Sequence, residues 1–113
     1  MNSGEIWRIN LDPTLGAEIQ KTRPAIIVSS NKIGILPLKV IVPLTDWKVH
    51  YIHVPWMIKI SPDSLNNLTK TSAIDTFQVR SVSEKRFVNF LGKIDNSIML
   101  QIKDALKIVF EIE

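Results

Sequence analysis

The segment Pro24-Ala25-Ile26-Ile27-Val28-Ser29-Ser30 contains an apolar run of four residues, Ala25 to Val28. A run this short, bounded by proline and serine, is typical of a strand that is buried on both faces. Alternating apolar residues predict further strands on either side, at Gly4–Leu11, Leu38–Leu44 and Ile52–Ile60. Pro55 predicts that the last of these lies at a sheet edge or a bulge. Shorter strands are predicted at Ser72–Ile74 and Gln78–Ser83.

The last fifth of the chain changes to a period near 3.6 residues, which indicates a helix. The triplet Asp95-Asn96-Ser97 offers candidate N-caps. One apolar stripe follows it, made of Ile98, Ile102, Ala105, Leu106 and Val109. Met99, Phe110 and Ile112 widen the stripe, so we expect burial against the sheet and against a partner subunit. The pattern therefore predicts a small, strongly curved sheet with one packed C-terminal helix.

Size and composition predict one domain over residues 1–113. A chain of 113 residues has room for one hydrophobic core, and its 45% hydrophobic and 22% charged residues are ordinary for a globular protein. It has no cysteine, which excludes disulfides, thiolate zinc sites and cysteine nucleophiles. The N-terminus lacks a signal-peptide pattern and no apolar run approaches the roughly 20 residues of a membrane span, so we expect a soluble cytoplasmic protein. The net charge of +3 slightly favours a polyanionic partner.

The familiar enzyme motifs are absent from this sequence. It contains neither a glycine-rich phosphate loop nor a nucleophile elbow. His50 and His53 lie three residues apart, but no further histidine or cysteine completes a metal-ligand set. A polar loop that leads into a strand accounts for the two histidines more simply. We therefore expect no metal and no cofactor.

Two polar clusters remain as candidate sites. Arg23 ends a polar loop and precedes Pro24, which favours an extended backbone at the mouth of the buried strand. Its planar guanidinium suits a phosphate, although a surface ion pair with Glu18 or Asp12 is the simpler alternative. The second cluster, Thr45–Tyr51, combines a hydroxyl, cations and aromatic rings. These groups either bind single-stranded nucleic acid or cap the end of the sheet.

These two clusters also resemble the MazF/PemK family of toxins. The resemblance begins with Gly4-Glu5-Ile6-Trp7, Asp12-Pro13-Thr14-Leu15-Gly16-Ala17-Glu18 and Thr22-Arg23-Pro24-Ala25-Ile26-Ile27-Val28-Ser29. It continues through Val42-Pro43-Leu44-Thr45, Thr71-Ser72-Ala73-Ile74, Gln78-Val79-Arg80-Ser81-Val82 and Gly92-Lys93-Ile94. With the terminal helix, it covers nearly the whole chain.

The resemblance implies both a fold and a function. The fold is an SH3-like small β-barrel closed by a C-terminal helix, usually in a homodimer. The function is that of a sequence-specific, metal-independent endoribonuclease, which cleaves single-stranded mRNA and is neutralised by a cognate acidic antitoxin. By position, Arg23 and Thr45 correspond to the catalytic pair, and Glu18 is the next candidate.

RNA cleavage without a metal can also be argued from residue chemistry alone. A ribose 2′-OH can attack the adjacent phosphate if its proton is removed and the phosphoryl charge is stabilised. Arg23 suits charge stabilisation, Thr45 suits hydrogen bonding to the phosphate or the 2′-OH, and Glu18 is the carboxylate proposed as base. Loop residues are expected to contact RNA: Gln20, Lys21, Ser29, Ser30, Asn31, Lys32, Asp46, Trp47, Lys48, Gln78 and Arg80.

Two positions depart from the pattern of many relatives. Asp46 stands where many of them have serine or threonine, and an acid there repels phosphate unless it is neutralised. Gln20-Lys21-Thr22 fills a stretch where many relatives have glycine. Two other functions stay open, a non-catalytic RNA- or peptide-binding module and a gyrase poison that acts through its C-terminal helix. Ile108, Val109, Phe110 and Ile112 are expected to be packing residues, which argues against the gyrase poison.

Overall fold

The computed structural model describes residues 1–113, except for the side chain of Ile33. Seven strands precede one helix: β1 Glu5–Asn10, β2 Thr22–Ile27, β3 Leu38–Asp46, β4 Met57–Ile60, β5 Ser72–Asp75, β6 Arg80–Ser83, β7 Phe87–Lys93 and α1 Asn96–Val109. Short 3-10 turns lie at Asn31–Ile33, Val49–His53, Thr76–Gln78 and Glu84–Arg86. The predicted mainly β fold with a C-terminal helix is confirmed.

The strands form one antiparallel sheet in the order β4-β5-β3-β2-β1-β7, with β6 also paired to β3. The sheet is not closed into a complete barrel, because the outer strands β4 and β7 are not neighbours in it. The loop after β4 bridges them instead. Lys93 N donates to the carbonyl of Leu65 at 3.0 Å, and Asn67 Nδ2 donates to the carbonyl of Leu91 at 2.9 Å.

Burial on both faces of β2 is confirmed, because two apolar clusters lie on opposite sides of the strand. Ile26 contributes to the cluster between the sheet and α1, whereas Ala25 and Ile27 contribute to the other. The first cluster is completed by Ile6, Val42, Leu44, Ile58, Ile60, Ile74, Ile102 and Ala105. The second is completed by Ile9, Leu11, Ile41 and Val82. Ala25, Ile26 and Ile27 are thereby held from one side or the other, which fixes the strand that carries Arg23.

The predicted strand Ile52–Ile60 is correct in its second half only. Only Met57–Ile60 forms β4, whereas Val49–His53 is a 3-10 turn in which the Ile52 side chain is 73% exposed. β4 does lie at the edge of the sheet, as Pro55 predicted. The short partner explains the difference, because all four residues of β5 already pair with β4 from Met57 to Ile60. β7 was not predicted at all.

The helix begins where the sequence predicted. The Asp95 carboxylate accepts a hydrogen bond from Ile98 N at 2.9 Å, which identifies the N-cap among the three candidates. Ile102 and Ala105 are buried. Ile108, Phe110 and Ile112 are more than half exposed in the single chain, so these expected packing residues are not buried against the sheet. They lie on the side of α1 away from the sheet or beyond its last turn. No helix in the described chain is both long and apolar enough to cross a membrane.

Candidate active site

The site lies where β2 and β3 separate. Their ladder runs from Ile27 opposite Ile41 to Ala25 opposite Pro43 and stops there. Pro24 and Pro43 lack the N–H groups that would extend it. Beyond that point β3 pairs with β5, and Thr45 lies opposite Ala73. β2 meanwhile continues along β1 only, so β2 and β3 move apart and leave a wedge-shaped gap between them.

A cavity of about 270 Å³ occupies this wedge. It is lined by Arg8, Thr22, Arg23, Pro24, Leu44, Thr45, Asp46, Thr69, Lys70 and Ser72. Arg23 and Thr45, the two residues predicted to act together, therefore share one cavity. Hydroxyl groups and cations dominate its lining, which suits an anionic ligand of phosphate size.

The Arg23 side chain is held by the loop that precedes it. Its Nε donates to the carbonyl of Gln20 at 3.2 Å, and the residue is half-buried. Within the described chain, Arg23 forms no ion pair with Glu18 or Asp12. The simpler alternative of a surface ion pair is therefore not what the structure contains.

Asp46 at the rim of the cavity is paired with a cation. Its Oδ1 lies 2.6 Å from Lys70 Nζ. The hydrogen bond and charge of Lys70 lower the pKa of Asp46, and the charges of Arg23 and Lys48 act in the same direction. The acid is thus compensated by cations on several sides, which is the condition under which a phosphate can approach it.

Sequence reasoning missed Lys70 and Arg8. Lys70 reaches the cavity because Asp46 lies opposite Ser72 in the β3–β5 ladder, and Arg8 because it lies opposite Pro24 in the β1–β2 ladder. Both placements depend on strand register between distant segments. No local pattern around either residue indicated them.

Glu18 lies outside this cavity. Its Oε1 accepts a hydrogen bond from Leu15 N at 2.6 Å within the loop. It lines a separate cavity of about 550 Å³, together with Phe77, Gln78 and Arg80. The structure therefore brings Arg23 and Thr45 together in one cavity. Glu18 lines a different cavity, and its carboxylate is hydrogen-bonded to Leu15 N.

Gln78 and Arg80 contact this loop. Gln78 Oε1 accepts from Ile19 N at 2.6 Å, and its Nε2 donates to the carbonyl of Ala17 at 3.2 Å. Arg80 Nη1 donates to the carbonyl of Leu11 at 3.2 Å. Both side chains hold protein backbone in this structure, while their predicted contact with RNA stays a prediction.

The remaining candidates fall into two groups. Ser29, Ser30, Asn31 and Lys32 follow the far end of β2, roughly 20 Å along the strand from Arg23. Ser29 Oγ accepts from Val40 N of β3 at 3.2 Å, and Asn31 Oδ1 accepts from Ser3 N near the N-terminus at 2.7 Å, so both bind backbone of other segments. Gln20 and Lys21 instead belong to the loop directly before Thr22 and Arg23, which line the cavity.

Aromatic side chains cluster directly after Asp46. The Trp47 and Tyr51 rings lie 5.8 Å apart at 74°, and Lys59 Nζ lies 5.4 Å from the Trp47 ring centroid. His50 packs edge-on against Tyr51 with 4.6 Å between ring centroids. The described side chains contain no group of three histidines or carboxylates that could hold a metal ion. Aromatic rings and cations thus follow directly after Asp46, which lines the cavity.

Comparison with known proteins identifies the class to which this fold and site belong. Residues 2–110 match the family model described as PemK-like, MazF-like toxin of type II toxin-antitoxin system. The match extends over nearly the whole chain, and the chain belongs to this family.

Individual relatives agree with this membership. The endoribonuclease MazF9 of Mycobacterium tuberculosis is 26% identical over 96% of this chain and 94% of its own length. The endoribonuclease PemK of Escherichia coli is 50% identical over 41% of this chain and 35% of its own. Among solved structures, MazF of Deinococcus radiodurans has a TM-score of 0.81 at 19% identity, covering 99% of this chain and 97% of that chain. A mycobacterial endoribonuclease in complex with its cognate antitoxin has a TM-score of 0.78 at 19% identity, covering 100% and 97%.

Proposed function

We propose that this protein is a sequence-specific endoribonuclease toxin that cleaves single-stranded RNA without a metal ion. One observation carries the proposal, namely that Arg23 and Thr45 line the same cavity where β2 and β3 diverge. Family membership and the endoribonuclease names of MazF9 and PemK support the same activity.

The proposed reaction is an internal phosphoryl transfer. The ribose 2′-oxygen forms a bond to the adjacent phosphorus, and the bond from phosphorus to the leaving 5′-oxygen breaks. A base takes the 2′-OH proton, and a proton is returned to the 5′-oxygen. The products are an RNA with a 2′,3′-cyclic phosphate and a second RNA with a free 5′-OH. DNA lacks the 2′-OH and is not cut.

Arg23 supplies the charge stabilisation in this scheme. Its guanidinium stays protonated and offers a planar fork to two phosphoryl oxygens. Nε donates to the Gln20 carbonyl, which holds the base of the guanidinium at the loop. Thr45, fixed by the β3–β5 ladder, hydrogen-bonds the phosphate or orients the 2′-OH.

The proton acceptor is assigned to Glu18 as a proposal. Asp46 also lines the cavity, but Lys70 lowers its pKa and thereby weakens it as a base. Glu18 is the carboxylate nearest to Arg23 in sequence, and to act it has to release Leu15 N and turn toward the cavity. The loop that carries it is largely exposed, which leaves room for that movement.

The RNA is proposed to run over Trp47, Lys48 and Lys70 beside the cavity. Aromatic rings stack on bases, and cations follow the phosphates, in proteins that bind single strands. Gln20, Lys21 and Asp46 border the same path. Ser29, Ser30, Asn31, Lys32, Gln78 and Arg80 remain candidates for reading the sequence.

The assembly and location are also proposals. We propose a homodimer neutralised by an acidic antitoxin, acting in the cytoplasm where mRNA is found. The exposed apolar side chains of Leu100 and Ile108 on α1 support a partner subunit. The mycobacterial relative solved with its cognate antitoxin supports the second partner.

The test of the activity mixes the purified protein with a long unstructured RNA or the matching DNA in excess EDTA. Wild-type protein is expected to give discrete RNA fragments and leave the DNA intact. Arg23→Ala is expected to lose roughly 10²–10³ in rate while it stays folded. Intact RNA with wild-type protein, or full activity in Arg23→Ala, would contradict the proposal.

A further inference from the structure

The middle of the loop before Arg23 is held by one distant side chain. Gln78 uses both ends of its amide, accepting from Ile19 N at 2.6 Å and donating to the carbonyl of Ala17 at 3.2 Å. Within the described chain, the other hydrogen bonds of residues 15–19 are local, between Leu15 and Glu18. The loop ends are closed separately, where Leu11 N donates to the carbonyl of Lys21 at 3.0 Å.

The bond between Gln78 and Ile19 lies one residue before the carbonyl group that binds Arg23. The Gln20 carbonyl accepts from Arg23 Nε at 3.2 Å, and Gln20 follows Ile19, whose amide is bound to Gln78. Planar peptide units leave two soft dihedrals per residue. Holding the Ile19 amide therefore restricts where the next carbonyl can lie, and with it the Arg23 side chain.

The same segment is also tied to Thr45. Gln78 ends the 3-10 turn that continues β5, and Ala73 of β5 lies opposite Thr45. Asp75, at the end of β5, accepts a hydrogen bond from Phe77 N at 3.1 Å. The segment from β5 to Gln78 thus contacts the Thr45 strand at one end and the Arg23 loop at the other.

We infer that Gln78 is a positioning residue, which sets the Arg23 guanidinium relative to Thr45 by holding the loop backbone at Ala17 and Ile19. The inference rests on the proposed ribonuclease function. It assigns Gln78 an effect on the chemical step, because a misplacement of about 1 Å at a catalytic group can cost roughly 10²-fold in rate.

Direct contact of Gln78 with RNA is the competing role, and it makes a different kinetic prediction. Each polar atom of the Gln78 amide makes one bond to backbone, which leaves one N–H and one lone pair of the amide for contact with a base. A base contact contributes to RNA binding, and its loss raises KM. A positioning role lowers kcat and leaves KM nearly unchanged.

The experiment compares Gln78→Met, which keeps the length of the side chain and removes its amide, with Gln101→Met on the exposed face of α1 as matched control. We expect kcat on RNA to fall about 10–100-fold in Gln78→Met, with KM within about twofold. Gln101→Met is expected to match wild type. If Gln78→Met does not fold, Gln78→Lys, which loses the acceptor for Ile19 N and keeps a donor for Ala17, takes its place with the same expectation.

A double-mutant cycle separates positioning from general destabilisation. Arg23→Lys has no guanidinium Nε, so it loses the bond to the Gln20 carbonyl. If Gln78 acts through that bond, Gln78→Met costs less than about threefold in the Arg23→Lys background. An equal loss in both backgrounds, or a raised KM with unchanged kcat, would overturn the inference.

Two readouts do not depend on RNA cleavage. Hydrogen exchange at the Ile19 amide is expected to accelerate in Gln78→Met, and the NMR resonance of Arg23 Nε is expected to shift. Wild-type protein that cuts no RNA defeats the proposed function, yet these two measurements still test whether Gln78 holds the loop backbone. Unchanged exchange at Ile19 and an unchanged Arg23 resonance in a folded Gln78→Met protein would overturn the inference by themselves.

Discussion

Lys70 Nζ lies 2.6 Å from Asp46 Oδ1 at the rim of the cavity that contains Arg23 and Thr45. The residue after Thr45 is therefore an acid whose charge is compensated from a neighbouring loop. Lys70 and Arg23 together lower the pKa of Asp46, so it stays ionised when the solution becomes mildly acidic. The cavity retains a cationic surplus for a phosphate despite the carboxylate at its rim.

Asp46→Asn is expected to tighten binding of a single strand and to steepen its salt dependence. The substitution frees Lys70 to contact phosphate, and each added phosphate contact raises the slope of log K against log salt by about 0.7. Fluorescence anisotropy of a DNA oligonucleotide at several salt concentrations measures the slope. Asp104→Asn on the exposed face of α1 carries the same change of charge, and equal slopes for the two variants would refute this role of Lys70.

Glu18→Gln tests the proposed base. If Glu18 takes the 2′-OH proton, kcat falls by roughly 10²–10⁴ while RNA affinity stays near that of wild type. Single-turnover cleavage at saturating protein separates the chemical step from binding. The side chain keeps its acceptor for Leu15 N, so the loop is preserved. Cleavage at the wild-type rate would remove Glu18 from the mechanism.

Asp75→Asn is expected to change how stability depends on pH. Burial raises the pKa of Asp75 above its usual 3.8, although hydrogen bonds from Phe77 and Gln78 oppose the shift. The folded state then binds this proton more tightly than the unfolded chain. The contribution of Asp75 to stability is therefore fully present below 3.8 and is lost as the pH rises through the raised folded value.

Asparagine at position 75 has no such titration. The free energy of unfolding of Asp75→Asn minus that of wild type should increase between about pH 3 and pH 7. Urea denaturation across that range measures it, with Asp104→Asn as the control for net charge. A difference that stays constant with pH, or that falls as the pH rises, would contradict the prediction.

Gly92→Ala is expected to destabilise the fold at the bridge between β4 and β7. A Cβ at this position would lie 2.5 Å from the carbonyl oxygen of Leu65 and 2.7 Å from that of Asn66. Both obstacles are backbone atoms, so the loop has to move, at a cost of about 1–3 kcal/mol. Urea denaturation of Gly92→Ala and of the exposed Asn89→Ala in the same strand measures the difference. Equal stability of the two variants would show that the loop moves without cost.

The fold was predictable where local pattern and tertiary packing agree. The apolar run of β2 is buried on both faces, and the stripe of α1 packs as its period indicated. At Ile52 the alternation was misleading, because β5 offers partners for four residues only and Ile52 has no strand to pair with. β7 gave no clear alternation, since its pairing with β1 shifts register twice and its centre, from Val88 to Phe90, is exposed.

The residues of the candidate site were likewise predicted only in part. Arg23 and Thr45 were proposed from residue chemistry and family resemblance, and both belong to one cavity. Lys70 and Arg8 enter it through ladder registers that no local pattern encodes. The separate orientation of Glu18 depends on a single hydrogen bond to Leu15 within a loop, and spacing along the chain carries no information about such a bond.

A single 2′-deoxy substitution in the RNA tests whether the 2′-OH is the attacking group. Cleavage sites are first mapped on RNA in EDTA, and one oligonucleotide is then made with deoxyribose only at the nucleotide before the cut. We predict that this substrate binds like RNA and is not cleaved, while the all-RNA strand yields a 2′,3′-cyclic phosphate and a 5′-OH. Cleavage of the substituted strand at the same bond would contradict attack by the 2′-OH.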